Sequence, residues 1–205
     1  MQYKSLARAA LLACAIGSPS AFANLITNSG FETPLVNGAS GYNYRYTGDA
    51  GWGWTTGARG AVQFNGVYAP GNLQVVGAGD QSIQLELVGD YVEQSIATTI
   101  GTTYTLSFLL GAYAPPGTSA LRVSVGGIGD NFFAGDTSWD TEALNFTATL
   151  ASTSIRFTNN NAGPGFTYPH LDNISLDVAS VPAPATLAML GLGLAALGLS
   201  LRRRT

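Results

Sequence analysis

Thr103-Tyr104-Thr105-Leu106-Ser107-Phe108-Leu109-Leu110 decides the fold class. Tyr104, Leu106, Phe108 and Leu110 fall on one side of an extended chain, because successive side chains of a strand point to opposite faces. A helix would spread the same four residues around its axis. The same period of two recurs on both sides of this stretch. Ser82-Ile83-Gln84-Leu85-Glu86-Leu87 alternates polar with apolar, and so do Leu121, Val123 and Val125, then Leu144 and Phe146. Ile155 and Phe157 follow, and Ile174, Leu176 and Val178 close the series. Gly-Asp, Pro-Pro-Gly, Gly-Gly and the Asn159 to Asn161 cluster separate these runs, and all are turn formers. The middle of the chain shows no sustained helical period. Many short strands of this kind predict an all-β fold, a sandwich or jelly roll. Residues 39–79 are less regular and rich in Gly, Tyr and Trp, which predicts short strands and long loops there.

The two ends have a different composition. Lys4 and Arg8 precede an apolar stretch around Ala9 to Gly17, and Ala21-Phe22-Ala23 follows. That order predicts a signal peptide over residues 1–23, cut by signal peptidase after Ala23. Leu11-Leu12-Ala13-Cys14 offers a second reading, a loose lipobox. Cleavage after Ala23 removes Cys14, the one cysteine, so the mature chain has no disulfide and no thiolate site. At the other end stand Val181-Pro182-Ala183-Pro184, then 17 apolar residues from 185 to 201, then Arg202-Arg203-Arg204-Thr205. A helix of that run measures ~25 Å, at the short end of what crosses a bilayer. The arginines hold their end in the cytoplasm, so everything upstream faces outward. A plain anchor, or an apolar helix packed on the domain, is the alternative reading, though an uncharged run ending in arginines suits lipid better than a globular core.

Residues 24–180 remain as the β-sandwich domain. A domain of that size buries ~70% of its unfolded surface and needs no covalent staples. All twelve acidic residues lie in it, against Arg45, Arg59, Arg122 and Arg156 and no lysine. Such a surface repels nucleic acid, so no nucleic-acid partner is expected. It suits calcium, neutral sugars, or solubility outside the cell.

The C-terminal segment resembles the PEP-CTERM sorting signal of Gram-negative bacteria, with Ala183 where that pattern often has an acidic residue. The resemblance implies recognition by an exosortase, a membrane transpeptidase, and loss of the tail. It implies transient anchoring after export across the inner membrane, then a place at the cell surface or in an exopolysaccharide or biofilm matrix.

A second resemblance rests on the order of motifs in the middle. Asn24-Leu25-Ile26-Thr27-Asn28-Ser29-Gly30-Phe31-Glu32 opens the mature chain, and His170-Leu171-Asp172-Asn173-Ile174-Ser175-Leu176 closes it. Between them come Trp52 and Trp54, Gly79 to Leu85, Val92 to Ile96, Gly101 to Phe108 and Trp139. The series resembles the galactose-binding-like jelly rolls of carbohydrate-binding modules, most closely those appended to xylanases and other glycanases. The resemblance implies a structural calcium between the first and last strands, with Glu32 and Asp172 at the acidic positions. Calcium takes six to eight oxygens, carbonyls included. Asn173 stands where many relatives have a second acidic residue. The alternative is that Glu32 caps a turn and Asp172 is an exposed strand residue.

Sugar binding uses aromatic rings against the apolar faces of pyranoses, with polar groups fixing the hydroxyls. The candidates are Tyr44, Tyr46, Trp52, Trp54, Tyr68, Trp139 and Tyr168, with Arg59 and Asn160 as polar partners. Each tryptophan can equally be core. Asp130, Asp136, Asp140 and Glu142 lack the register of an EF-hand and read as a solvated loop. His170 is the only histidine, which removes a His cluster for zinc, and no G-x-S-x-G elbow occurs. The expected function is therefore non-catalytic carbohydrate binding outside the cell. The rivals are a structural or adhesive surface protein and, behind it, a divergent glycan-cleaving enzyme.

Overall fold

The computed structural model describes residues 24–36, 41–65, 79–112, 119–135, 138–161 and 168–179. The strands among the described residues are β1 (Tyr42–Arg45), β2 (Thr55–Thr56), β3 (Ala61–Asn65), β4 (Gln81–Gln84), β5 (Tyr91–Ala97), β6 (Thr103–Ala112), β7 (Ser119–Val125), β8 (Ile128–Ala134), β9 (Asp140–Thr147), β10 (Ser152–Asn159) and β11 (Pro169–Val178). They form two antiparallel sheets, β1-β3-β4-β11-β6-β9 and β2-β5-β10-β7-β8. The chain crosses repeatedly from one sheet to the other, which gives a jelly-roll β-sandwich, as the alternating runs predict.

The core lies where the apolar halves of those runs meet. Leu106, Phe108 and Leu110 of β6 face Ile155 and Phe157 of β10, with Leu171, Ile174 and Leu176 of β11 beside them, all buried. Phe108 stands edge-on to Phe157 at 5.2 Å. Along β5, β7 and β10 buried residues alternate with ones that face outward, such as Ser95, Arg122 and Ser154.

Strand β8 was not foreseen in the sequence. Nearly all of it is exposed, so no buried alternation marks it. Gly126 and Gly127 make the turn before it with positive φ of 54° and 92°, a backbone that glycine adopts without steric cost. In the described part of the irregular segment the strands are short, as its composition predicts: β1, β2 and β3 have four, two and five residues, and residues 66–78 lie outside the described residues.

The opening segment closes a gap in the first sheet. The β4–β11 ladder has only two pairs, His170 with Gln84 and Leu171 with Ile83. Beyond it, residues 29–32 supply the bonds that a neighbouring strand would give. Ile174 N–H donates to Ser29 O at 2.9 Å, and Gln81 N–H donates to Glu32 Oε1 at 3.0 Å. β11 carries a register shift between Asp172 and Ser175, where this insertion falls. Asn24 completes the clasp: its Nδ2 donates to Ile174 O at 2.8 Å, and its Oδ1 accepts from Leu176 N–H at 3.1 Å.

Candidate functional site

Tyr44 and Tyr46 follow one another at a spacing of two on the edge strand β1 and its exit, and both remain about 45% exposed. The register puts Tyr44 opposite Val62 and Val62 opposite Gln84. This row lies on the outer face of the sheet, since Ile83 and Leu85 take the core side. The same alternation brings Glu86 to the outer face, where its Oε2 accepts from the Tyr44 hydroxyl at 3.1 Å. Burial, then the Glu86 charge, pushes the Tyr44 hydroxyl pKa up. The turn before β3 adds Arg59. Together Tyr44, Tyr46, Arg59, Glu86 and Asp90 line a cleft of about 360 Å³.

The groups in this cleft differ in how far they are committed. Asp90 Oδ2 accepts from Leu87 N–H at 2.8 Å and so caps its own turn. Arg59 is exposed and makes no hydrogen bond or ion pair among the described residues. Its guanidinium is a planar fork of donors beside two tyrosine rings and a carboxylate. Gly60 fixes the geometry. Its φ is +77°, and a side chain there would collide with the Arg45 carbonyl and press on the Tyr46 ring. Gly60→Ala is expected to cost about 2 kcal/mol or more and to deform the cleft. Urea unfolding of the variant checks the first effect.

A row of rings continues across the same face. Tyr42 approaches Phe64 at 5.9 Å, Phe64 stacks on His170 at 5.8 Å, and Trp139 stands edge-on to His170 at 6.5 Å. His170 is 1% exposed and its Nε2 has no partner among the described residues. Burial lowers its pKa to about 3, so it is neutral at physiological pH.

Other sequence candidates fall elsewhere. Trp52 and Trp54 are core residues, 0% and 2% exposed, packed on Phe31 at 5.7 and 5.4 Å. That burial takes both away from any solvent-facing platform. Asn160 follows β10 in the other sheet and does not line the cleft; its Nδ2 donates to Asn131 Oδ1 at 3.3 Å. Trp139 and Tyr168 are half-buried and do not line the cleft. Tyr68 lies outside the described residues. So do the signal-peptide positions Ala21 and Ala23, the apolar run 185–201, and Val181, Pro182, Ala183, Pro184, Arg202, Arg203 and Arg204.

Glu32 and Asp172 do come together. A methyl group on Gly30 would lie 3.7 Å from Asp172 Oδ1 and 4.0 Å from Glu32 Oε1, so both carboxylates border one small space. Asp172 is 2% exposed, not an exposed strand residue. Burial, reinforced by the Glu32 charge and opposed by the Asn173 N–H bond, raises its pKa to about 7. Two crowded carboxylates, one of them buried, fit a hard oxygen-seeking cation. No group of three or more His, Cys, Asp or Glu able to hold a metal occurs among the described residues, so further ligands would be carbonyls or water.

Fold and sites together define a jelly-roll domain followed by a sorting segment: residues 180–204 match the PEP-CTERM protein-sorting motif, which marks exported, exosortase-processed chains. The chain belongs to the family described as "Protein of unknown function (DUF642)", whose model matches residues 24–177. No curated protein matches it. Among solved structures it is similar to TmCBM61 in complex with β-1,4-galactotriose, at 15% identity and a TM-score of 0.48, over 77% of this chain and 100% of the other. It is also similar to a family 16 carbohydrate-binding module, at 19% identity and a TM-score of 0.45, over 75% and 99%. For a CBM4 structure the values are 18% and 0.44, over 75% and 99%.

Proposed function

We propose that this chain is an exported, non-catalytic glycan-binding protein. A Gram-negative bacterium would hold it at the cell surface and then in its exopolysaccharide or biofilm matrix. The convergence of Tyr44, Tyr46 and Arg59 in one cleft supports the reading most directly. Two exposed rings offer apolar area to a pyranose, and an uncommitted guanidinium offers a fork of donors to adjacent hydroxyls or a carboxylate. Glu86, braced by Tyr44, is an acceptor for a third hydroxyl. Binding fits better than catalysis, because the one histidine is buried and neutral and so unsuited to solvent-facing acid–base work. In this reading signal peptidase removes residues 1–23, an exosortase acts on the tail, and calcium bridges Glu32 and Asp172.

Titration of residues 24–180 against a glycan panel that includes the host exopolysaccharide tests the proposal. Saturable binding to one sugar class is expected. Tyr44→Ala and Arg59→Ala should each weaken it about tenfold, roughly 1.4 kcal/mol, with melting temperature unchanged. A folded domain that binds no glycan would leave a structural or adhesive surface protein instead.

A further inference from the structure

The end of the sandwich from which the sorting segment leaves is built differently from the rest. The last described bond of the chain is Ala179 N–H to Thr103 O, at 2.9 Å. Around this exit lie three turns, 98–102, 148–151 and 126–127. They are tied together: Gly101 N–H donates to Ala148 O, Thr98 N–H to Ala151 O, and Thr98 Oγ1 to Leu150 O at 2.8 Å. Gly126 N–H donates to Ser154 O beside them. Ile100, Leu150 and Ile128 project from these turns and are 65%, 63% and 47% exposed. Single exposed apolar side chains are ordinary. Here three share one end, and none of residues 98–103, 125–128, 147–153 or 178–179 is charged. The nearest charges stand one step back from the tips: Asp177 on the outer face of β11, and Asp130 with Arg122, whose guanidinium lies beside Gly129, on the outer side of β7 and β8. The opposite end carries Arg59, Glu86 and Asp90.

The occupant follows from what comes next in the chain. Residues 180–184 separate the exit from the apolar run that starts at 185. Five residues reach at most about 18 Å, so an anchored tail keeps this end near the bilayer. The rest of the domain is strongly acidic, and an anionic leaflet repels it.

We propose that the uncharged end bearing Ile100, Leu150 and Ile128 rests on the lipid interface while the sorting segment is in the membrane. The inference goes beyond glycan binding and rests on the tail being membrane-held. Apolar tips settle into the headgroup boundary with a stabilisation that grows with the apolar area buried. This orientation holds 180–184 at the membrane surface and points the Tyr44–Arg59 cleft away from it. Loss of the tail frees the domain, because two or three apolar tips alone hold weakly.

The test uses residues 24–205, the cysteine-free chain left by signal-peptide removal, reconstituted in phosphatidylethanolamine–phosphatidylglycerol vesicles. An environment-sensitive dye is placed on Ile100→Cys, Leu150→Cys or, as control, Val88→Cys, which is 66% exposed at the far end. Blue-shifted emission and several-fold weaker iodide quenching at 100 and 150, but not at 88, are expected. Equal, water-like emission at all three positions in co-floating vesicles overturns the proposal and leaves glycan binding untouched. A chain that fails to co-float removes the anchor and the proposal with it. Protection that appears only on adding exosortase, or only at high protein density, assigns the surface to the enzyme or to a second copy and likewise overturns it.

Discussion

Trp52→Ala is expected to lower the unfolding free energy by about 3–5 kcal/mol, the usual cost of deleting a buried aromatic. Domains of this size have about 5–15 kcal/mol in total, so a large share of the stability goes. Trp52 is among the largest fully buried side chains and is held from several sides. Asn28 Nδ2 donates to its carbonyl at 2.9 Å, and its ring packs against Phe31. Phe31 packs in turn against Trp54, whose Nε1 donates to Asn28 O at 3.2 Å and whose ring meets Phe157 at 6.3 Å. Removing Trp52 therefore loosens the opening segment from the core as well as leaving a cavity. The midpoint in urea should fall while the slope is kept. A loss under about 1 kcal/mol together with loss of glycan binding would return Trp52 to the ligand site.

The second large effect is the response of stability to pH and calcium. Asp172 has a folded pKa of about 7, raised from the ordinary carboxyl value of 3.8. In metal-free buffer the folded state keeps a proton that the unfolded state has lost between those values. Stability therefore falls as pH rises from about 4 to about 7, and the penalty is complete above that. Three pKa units correspond to about 4 kcal/mol, an order-of-magnitude figure. In the proposed calcium site the cation would replace the proton, so its effect should be small near pH 5 and large near pH 8. Melting curves in chelator and in calcium at both pH values read this out. Asp172→Asn should raise the metal-free midpoint at pH 8 and abolish the calcium response. Stabilisation by Asn with no calcium response in the parent would leave a buried acid without a metal.

The particular residues explain what could be read in advance. β6, β7, β10 and β11 each bury one face, and burial leaves the alternation that Tyr104 to Leu110 displays. β8 buries almost nothing and leaves no such trace. Tyr44 and Tyr46 stand out as aromatic residues, but the cleft needs the β1–β3–β4 register, which no local pattern fixes. Glu86 carries a partial signal, because Ser82, Gln84 and Glu86 alternate with apolar neighbours. Trp52 was ambiguous because a turn, not a strand, buries it. Asp172 follows Leu171 and should point outward, yet it is buried, with Gly30, distant in sequence, against its carboxylate.

The place of β11 has a mechanical consequence. It is the last strand before the tail, yet it lies in the interior of its sheet, between β4 and β6. Tension between a bound polymer at Tyr44 and a tethered C-terminus would run through β1, β3 and β4 into β11. Along β6 that load meets a long ladder, from Pro169 with Ala112 to Val178 with Tyr104. Between β4 and β11 it crosses two pairs only. Glu32, bonded to the end of β4, and Asp172, on β11, straddle that thin seam. A cation held between them would act as a rivet at the weakest point of the load path.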